Sequence, residues 1–376
     1  MNANKLKNKV LVTGANGFIG KNLSFRLREE ANIDVLTFLR TDSDEFLKKQ
    51  LLESDLLIHL AGENRPKSSK MFVETNEGLT RKICNILEEL GKKIPVIFTS
   101  STQATINNDY GKSKLEAENI LINFSKKSES PLYIYRLPGV FGKWCRPNYN
   151  SVVATFCHNI ANNLEINIED EERLIDLVYI DDAIDNFINI ANNIKGGIHQ
   201  LSINEIYKIS LGDLANLIKS FRESRNSLIS ERVGTGITRA LYATYMSFLP
   251  VKDFSYKVIS NEDERGTFVE MLKTKDTGQF SFFTAHPGVT RGGHYHNTKT
   301  EKFLILKGKG RFNFRNIISD EKYSIEVSCN DHTIVETIPG WSHDITNIGK
   351  EEMIVMLWAN EIFDRDAPDT ITYSMS

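Results

Sequence analysis

From Lys9 to about residue 200, short and nearly unbroken apolar runs alternate with longer amphipathic ones. The short runs, Lys9–Gly14, Asp34–Arg40, Leu56–Gly62, Pro95–Ser101 and Leu132–Leu137, have the texture of parallel strands buried on both faces. Between them, Gly20–Glu30, Lys70–Gly91, Gly111–Phe124 and Ser151–Asn163 read as helices. This βαβα order predicts an α/β, Rossmann-like, doubly wound parallel sheet. A helical stretch follows, with Leu214, Leu217, Ile218 and Phe221 on one stripe, until Pro250 stops it. Beyond Pro250 the texture changes to short alternating segments, among them Gly266–Glu270, Gln279–Thr284, Lys302–Leu306 and Met353–Trp358, which predict an all-β sandwich or barrel. The expected division is 1–250 for the α/β part with its helical extension and 251–376 for the β part.

A chain of 376 residues is too long for one small domain. Its 46 basic and 49 acidic residues leave a net charge of −3, so no basic field favours a nucleic-acid backbone. The four cysteines, Cys84, Cys145, Cys157 and Cys329, form no CxxC pair, which fits a reducing compartment. The apolar run after Lys9 is too short for a signal peptide, and no segment approaches the roughly 18 apolar residues of a membrane span. A cytoplasmic enzyme of small molecules, with neither nucleic acid nor membrane as partner, is expected.

Thr13-Gly14-Ala15-Asn16-Gly17-Phe18-Ile19-Gly20 lies between the first strand and the first helix, the context of a dinucleotide fingerprint. Glycines there permit a tight turn, and the helix start offers unpaired N–H groups to a pyrophosphate. Arg40, after the second strand, stands where an arginine accommodates the 2′-phosphate of NADP, so NADPH is the expected coenzyme. Asp42 is the competing ribose ligand. Asp55 and Leu56 are expected at the adenine, with Leu60, Ala61 and Gly62 beneath the coenzyme.

Tyr110 and Lys114, four apart, project from one face of the helix that begins near Gly111. A cation so placed should lower the tyrosine pKa and let Tyr110 protonate a carbonyl oxygen as hydride reaches its carbon, while Ser101 holds that oxygen. Both residues are also expected to touch the coenzyme. Together with Asn76 and Arg136-Leu137-Pro138-Gly139-Val140-Phe141-Gly142, these motifs resemble the extended short-chain dehydrogenases/reductases, the family of nucleotide-sugar epimerases, dehydratases and ketoreductases. Only eight residues separate Ser101 from Tyr110, a shorter loop than most relatives carry.

Gly288, His294, His296, Glu301 and Gly308 fit the first cupin motif, G(x)5HxH(x)4E(x)6G, and Pro339–His343 with Asn347 resembles the second. Two histidines two apart on a strand share a face and can converge on one ion. His294, His296, Glu301 and His343 are the expected ligands. The set suits zinc, iron, manganese or nickel, with zinc the first choice.

A reductase joined to a cupin, with Lys143–Asn150 and Asp253-Phe254-Ser255-Tyr256, resembles the bifunctional enzymes of capsular polysaccharide synthesis. That resemblance implies C3 epimerisation of a UDP-4-keto-6-deoxy-N-acetylhexosamine by the cupin. NADPH-dependent C4 reduction to UDP-N-acetyl-6-deoxy-L-talosamine would follow, on the route to UDP-N-acetyl-L-fucosamine. It also implies a homodimer and substrate contacts from Arg136 and Asn148. Lys302, Tyr295 and His332 are candidates for the epimerising base. Two other readings stand beside it: a single-function reductase or epimerase with a structural cupin, and a non-catalytic coenzyme sensor with a sugar-binding barrel.

Overall fold

Val10, Leu11 and Val12 are buried on both sides because parallel strands flank them. The computed structural model describes residues 8–65, 68–297 and 299–375. The chain divides into two compact units, Met1–Ile218 with Arg239–Leu249, and Lys219–Thr238 with Pro250–Ser376.

The first unit holds the strands β1 (Asn8–Thr13), β2 (Ile33–Phe38), β3 (Leu56–His59), β4 (Val96–Ser101), β5 (Leu132–Leu137), β6 (Gly139–Phe141), β7 (Leu174–Tyr179), β8 (Ile198–Leu201) and β9 (Tyr207–Ser210). Six of them form a parallel sheet in the order β2-β1-β3-β4-β5-β8, and β6, β7 and β9 form a small second sheet. The helices are α1 (Phe18–Glu29), α2 (Asp44–Glu53), α3 (Lys70–Phe72), α4 (Leu79–Glu89), α5 (Asp109–Ser128), α6 (Val152–Ala161), α7 (Ile180–Asn192), α8 (Leu211–Ser227) and α9 (Gly236–Met246), and the unit boundaries fall within the last two. Ile83 and Leu87 of α4, and Leu121 and Phe124 of α5, recur at helical spacing and pack on Leu57, Phe98 and Ile134 of the sheet. Each such side chain contributes roughly 1.5–3 kcal/mol on burial.

The sequence suggests one continuous helix over Lys70–Gly91, but a π-helical stretch, Val73–Gly78, intervenes. Such insertions re-aim a side chain at the expense of regular bonding. Here the buried residue of the stretch is Asn76.

The second unit contains β10 (Ile229–Ser230), β11 (Ser260–Asp263), β12 (Gly266–Thr274), β13 (Gly278–Ala285), β14 (Thr290–Tyr295), β15 (Glu301–Lys307), β16 (Lys309–Asn316), β17 (Lys322–Ser328), β18 (Ile334–Glu336), β19 (Trp341–Asn347), β20 (Met353–Ala359) and β21 (Ile371–Thr372). One sheet runs β10-β12-β13-β20-β15-β18, with β11 on β12, and the other β17-β16-β19-β14-β21. From β13 onward the chain passes repeatedly between the two. Phe283 and Phe303 from one sheet meet Phe312, Phe314 and Ile345 from the other to form a shared core.

Candidate functional site

The turn after β1 is built on backbone proximity. Gly14 has φ +70°, and a Cβ there would stand 2.8 Å from Ala61 Cα; a Cβ on Gly20 would stand 2.2 Å from the Gly14 carbonyl. Only glycine fits either place. The turn therefore rests on the Leu60-Ala61-Gly62 segment. Asn16 belongs to this turn, while Phe18, Ile19 and Gly20 form the first turn of α1, whose cap residue, Gly17, has no side-chain bond to the helix start.

Arg40 follows β2 as an exposed side chain, 3.8 Å from Glu63. Asp42 folds back instead, its carboxylate accepting from the Leu39 N–H at 2.7 Å. Asp55 and Leu56 are corrections to the sequence reading. Asp55 accepts from the Lys9 N–H at 2.8 Å, and Leu56 pairs with Val10, both where β1 and β3 begin. Ligands of such sheets bind outside the carboxyl ends of strands. The glycine turn lies at that end of β1, about 13 Å of strand away from Asp55.

The short loop before α5 returns Tyr110 to the end of β4. Asn108 caps α5 by accepting from the Gly111 N–H at 2.7 Å. A Cβ on Gly111 would lie 2.2 Å from the Gln103 carbonyl, so the helix start is pressed against the Thr102–Thr105 turn. Burial pushes the Tyr110 phenol above its ordinary pKa, partly offset by a hydrogen bond with the Ser101 side chain. Lys114 is buried and donates to the Thr99 carbonyl at 2.6 Å. The expected lowering of Tyr110 by Lys114 is thus not found. Desolvation of the phenol dominates, and desolvation also lowers Lys114 itself to about 8. The ammonium lies 3.7 Å from where a Cβ on Gly62 would stand, which joins the lysine to the floor of the coenzyme site.

A polar network beneath this floor has little sequence signature. His59 sits between Thr13 Oγ1 at 2.7 Å and Thr80 Oγ1 at 3.0 Å. The Thr80 hydroxyl donates to the Asn76 carbonyl, so it accepts from His59 Nε2, and Nδ1 accepts from Thr13. Thr13 Oγ1 in turn accepts from the Ala61 N–H at 3.2 Å. Burial pushes His59 down to about 3, so it is neutral. The Asn76 amide accepts from the Glu63 N–H and donates to the Glu63 carbonyl and the Ser113 hydroxyl, tying the coenzyme loop to α5.

Arg136 differs from expectation. Its guanidinium makes a two-pronged pair with the buried Glu118, at 2.9 and 2.6 Å, and Ser100 also donates to Glu118. These contacts hold α5 to the sheet rather than reserve Arg136 for substrate. Asn148 lines a cleft of about 290 Å³ with Arg65, Tyr149, Asn150, Ser151 and Thr155.

In the second unit, one ligand atom from each of His294, His296, Glu301 and His343 lies within 4.8 Å of the others. His294 stands opposite His343 in the β14–β19 register, and Glu301 opens β15. His296 Nδ1 donates to the Asp369 carbonyl at 2.5 Å, which directs Nε2 toward Glu301 at 3.2 Å. His343 Nε2 is buried, 3.3 Å from the same carboxylate oxygen, and makes no hydrogen bond. Burial alone would raise the Glu301 pKa, but the neighbouring His296, His343 and Lys299 together outweigh it and hold the carboxylate ionised; burial pushes His294 down to about 4. Two imidazole nitrogens aimed at one carboxylate oxygen, one of them orphaned, fit a divalent cation at their centre.

The three base candidates lie off this face. Lys302 pairs with Glu336, Tyr295 alternates with the inward histidines, and His332 is exposed in a left-handed turn. The buried titratable neighbour is instead Lys299, 3.7 Å from Glu301 and 3.1 Å from Thr370.

Residues 10–209 match the NAD dependent epimerase/dehydratase family and residues 261–371 the polysaccharide biosynthesis C-terminal domain. The chain belongs to the NAD dependent epimerase/dehydratase family and is an NAD(P)-dependent oxidoreductase. It is 52% identical to the UDP-2-acetamido-2,6-beta-L-arabino-hexul-4-ose reductase of Pseudomonas aeruginosa, over 98% of this chain and 99% of that protein. It is also similar to the crystal structure of the capsular polysaccharide assembling protein CapF from Staphylococcus aureus, with TM-score 0.89, 38% identity, and 97% of this chain and 100% of that one covered. The UDP-glucuronic acid 4-epimerase of Bacillus cereus shares the fold of the first unit at 19% identity and TM-score 0.56, covering 64% of this chain and 98% of that one.

Proposed function

We propose that the chain reduces the C4 ketone of a UDP-4-keto-6-deoxy-N-acetylhexosamine with NADPH, giving UDP-N-acetyl-6-deoxy-L-talosamine. The observation that carries this reading is the return of Tyr110 to Ser101 beside a buried Lys114. Ser101 would hold the ketone oxygen and Tyr110 would supply the proton to it, while bound NADPH would supply the hydride for C4. The Lys114 cation stabilises the phenolate left behind. Arg40 receives the 2′-phosphate, a role that Asp42 leaves to it by folding back on Leu39. The relative's printed name, a hexul-4-ose reductase, supports the substrate class.

The second unit supports a further activity. Its strands pass between two sheets in the manner of a cupin, and three of its histidines converge there with Glu301. In this reading the barrel epimerises C3 before reduction. A proton beside a ketone is acidic because its removal leaves an enolate. Zinc, held by His294, His296, Glu301 and His343, would supply Lewis acidity to the ketone. Reduction then removes the carbonyl, after which C3 no longer exchanges.

The test of the reducing site is NADPH oxidation by the purified enzyme given the 4-keto sugar. Tyr110→Phe should lower the rate at least 10³-fold while leaving NADPH binding unchanged. A rate within threefold of the native enzyme would refute the assignment.

A further inference from the structure

The barrel's inner face carries a cation with unmade hydrogen bonds. Arg291 lies on β14 opposite Ile345 of β19, while His294 lies opposite His343. Ile345 and His343 are two apart on one strand and share a face. The irregularity between Gly292 and His294 therefore brings Arg291 onto the face that bears the metal ligands. Gly292, at φ +106°, permits this: a Cβ there would stand 2.7 Å from the His343 carbonyl. The Arg291 guanidinium lies 5.2 Å from the centre of the Phe283 ring, itself part of the core.

The Arg291 side chain is only 13% exposed, and its Nε and Nη2 are buried without a hydrogen-bond partner. Asp263 comes no nearer than 3.8 Å and is already gripped by Arg265, whose Nε stands 3.1 and 3.2 Å from its oxygens. A buried cation with unmade bonds costs stability, and an apolar side chain of similar volume would serve the fold better. Two guanidinium nitrogens with unmade hydrogen bonds, shielded from water on the inner face, are suited to an anionic oxygen.

We propose that Arg291 binds an anionic oxygen of the nucleotide sugar inside the barrel, an inference that rests on the epimerase reading above. The substrate offers such oxygens in two places. One is the diphosphate. The other is the C4 oxygen during epimerisation: the C3–H bond breaks, its proton passes to a base, the electron pair moves onto the C4 oxygen, and reprotonation from the opposite face restores the ketone. No oxidant or reductant enters.

The experiment compares the full-length, metal-loaded enzyme with Arg291→Met, following deuterium incorporation at C3 of the UDP-4-keto sugar in deuterated water without coenzyme. Metal content and thermal melting are read on the same samples. The proposal predicts that the variant retains its metal, melts no lower than the native protein, and loses C3 exchange. A KM raised at least tenfold with kcat kept, together with lost inhibition by inorganic pyrophosphate, assigns the oxygen to the diphosphate. A kcat lowered at least 100-fold with KM kept assigns it to the enolate. Exchange within twofold of native, or a variant that unfolds or melts clearly lower, overturns the role of Arg291 while leaving the epimerase reading intact. If the native enzyme itself exchanges nothing, the epimerase reading fails and Arg291's role fails with it.

Discussion

The backbone carbonyl of Asp369 accepts from Nδ1 of His296 at 2.5 Å, across 73 positions of sequence. Because a carbonyl only accepts, Nδ1 carries the proton and the Nε2 lone pair faces the other ligands. The Asp369 carboxylate also accepts from the Asn297 N–H and the Lys299 N–H, and β21 pairs with β14 at His294 and Tyr295. This segment therefore fixes the tautomer and aim of a candidate metal ligand.

Shortening the chain to end at Pro368 should weaken metal retention about 10- to 100-fold, the scale on which partners of metal-bound histidines act. Competition with a chelator, with metal content read by elemental analysis, measures it. Undiminished retention would show that His296 is oriented without this segment.

Arg40→Ser should reduce the preference for NADPH over NADH at least tenfold, or about 1.4 kcal/mol. The ratio of kcat/KM values for the two coenzymes reads this directly. An unchanged ratio would place the 2′-phosphate elsewhere.

Lys114, lowered to about 8 by burial with Glu118 opposing, predicts a pH profile. In the proposed mechanism the cation stabilises the Tyr110 phenolate, so kcat/KM for reduction should fall as pH rises through about 8. A flat profile up to pH 10 would contradict a role for the lysine charge.

His59 gives a stability prediction of known sign. Its folded pKa is about 3, against about 6.5 when unfolded, so between those values the unfolded chain binds the extra proton. Stability should therefore fall on acidification, by ~2 kcal/mol between pH 7 and pH 5 from this group. Denaturant unfolding of native protein and His59→Asn at both pH values checks it; the variant should lose that part of the slope.

Features set by local spacing were legible in the sequence: the glycine turn, the Tyr110–Lys114 pair and the HxH ligands each depend on one strand or one helix face. What failed depended on position along or across a sheet. Asp55 resembles an adenine ligand in one dimension, yet a residue preceding β3 must lie at the amino edge of a parallel sheet. Arg136 reads as a substrate contact in the sequence because its buried partner Glu118, eighteen positions earlier on α5, cannot be seen there. Lys299 and Asp369 become neighbours only when β21 closes on β14. Arg291 turns inward because of an irregularity whose sole sequence trace is Gly292-Gly293.

The division of labour between the two units is tested most directly by an NMR time course of the native enzyme with the UDP-4-keto sugar in deuterated water. Without NADPH, deuterium should appear at C3 while the C4 ketone persists; on adding NADPH, the ketone should disappear and the C3 label should stop changing. Reduction at C4 with no deuterium ever entering C3 would contradict the account and leave the second unit a scaffold.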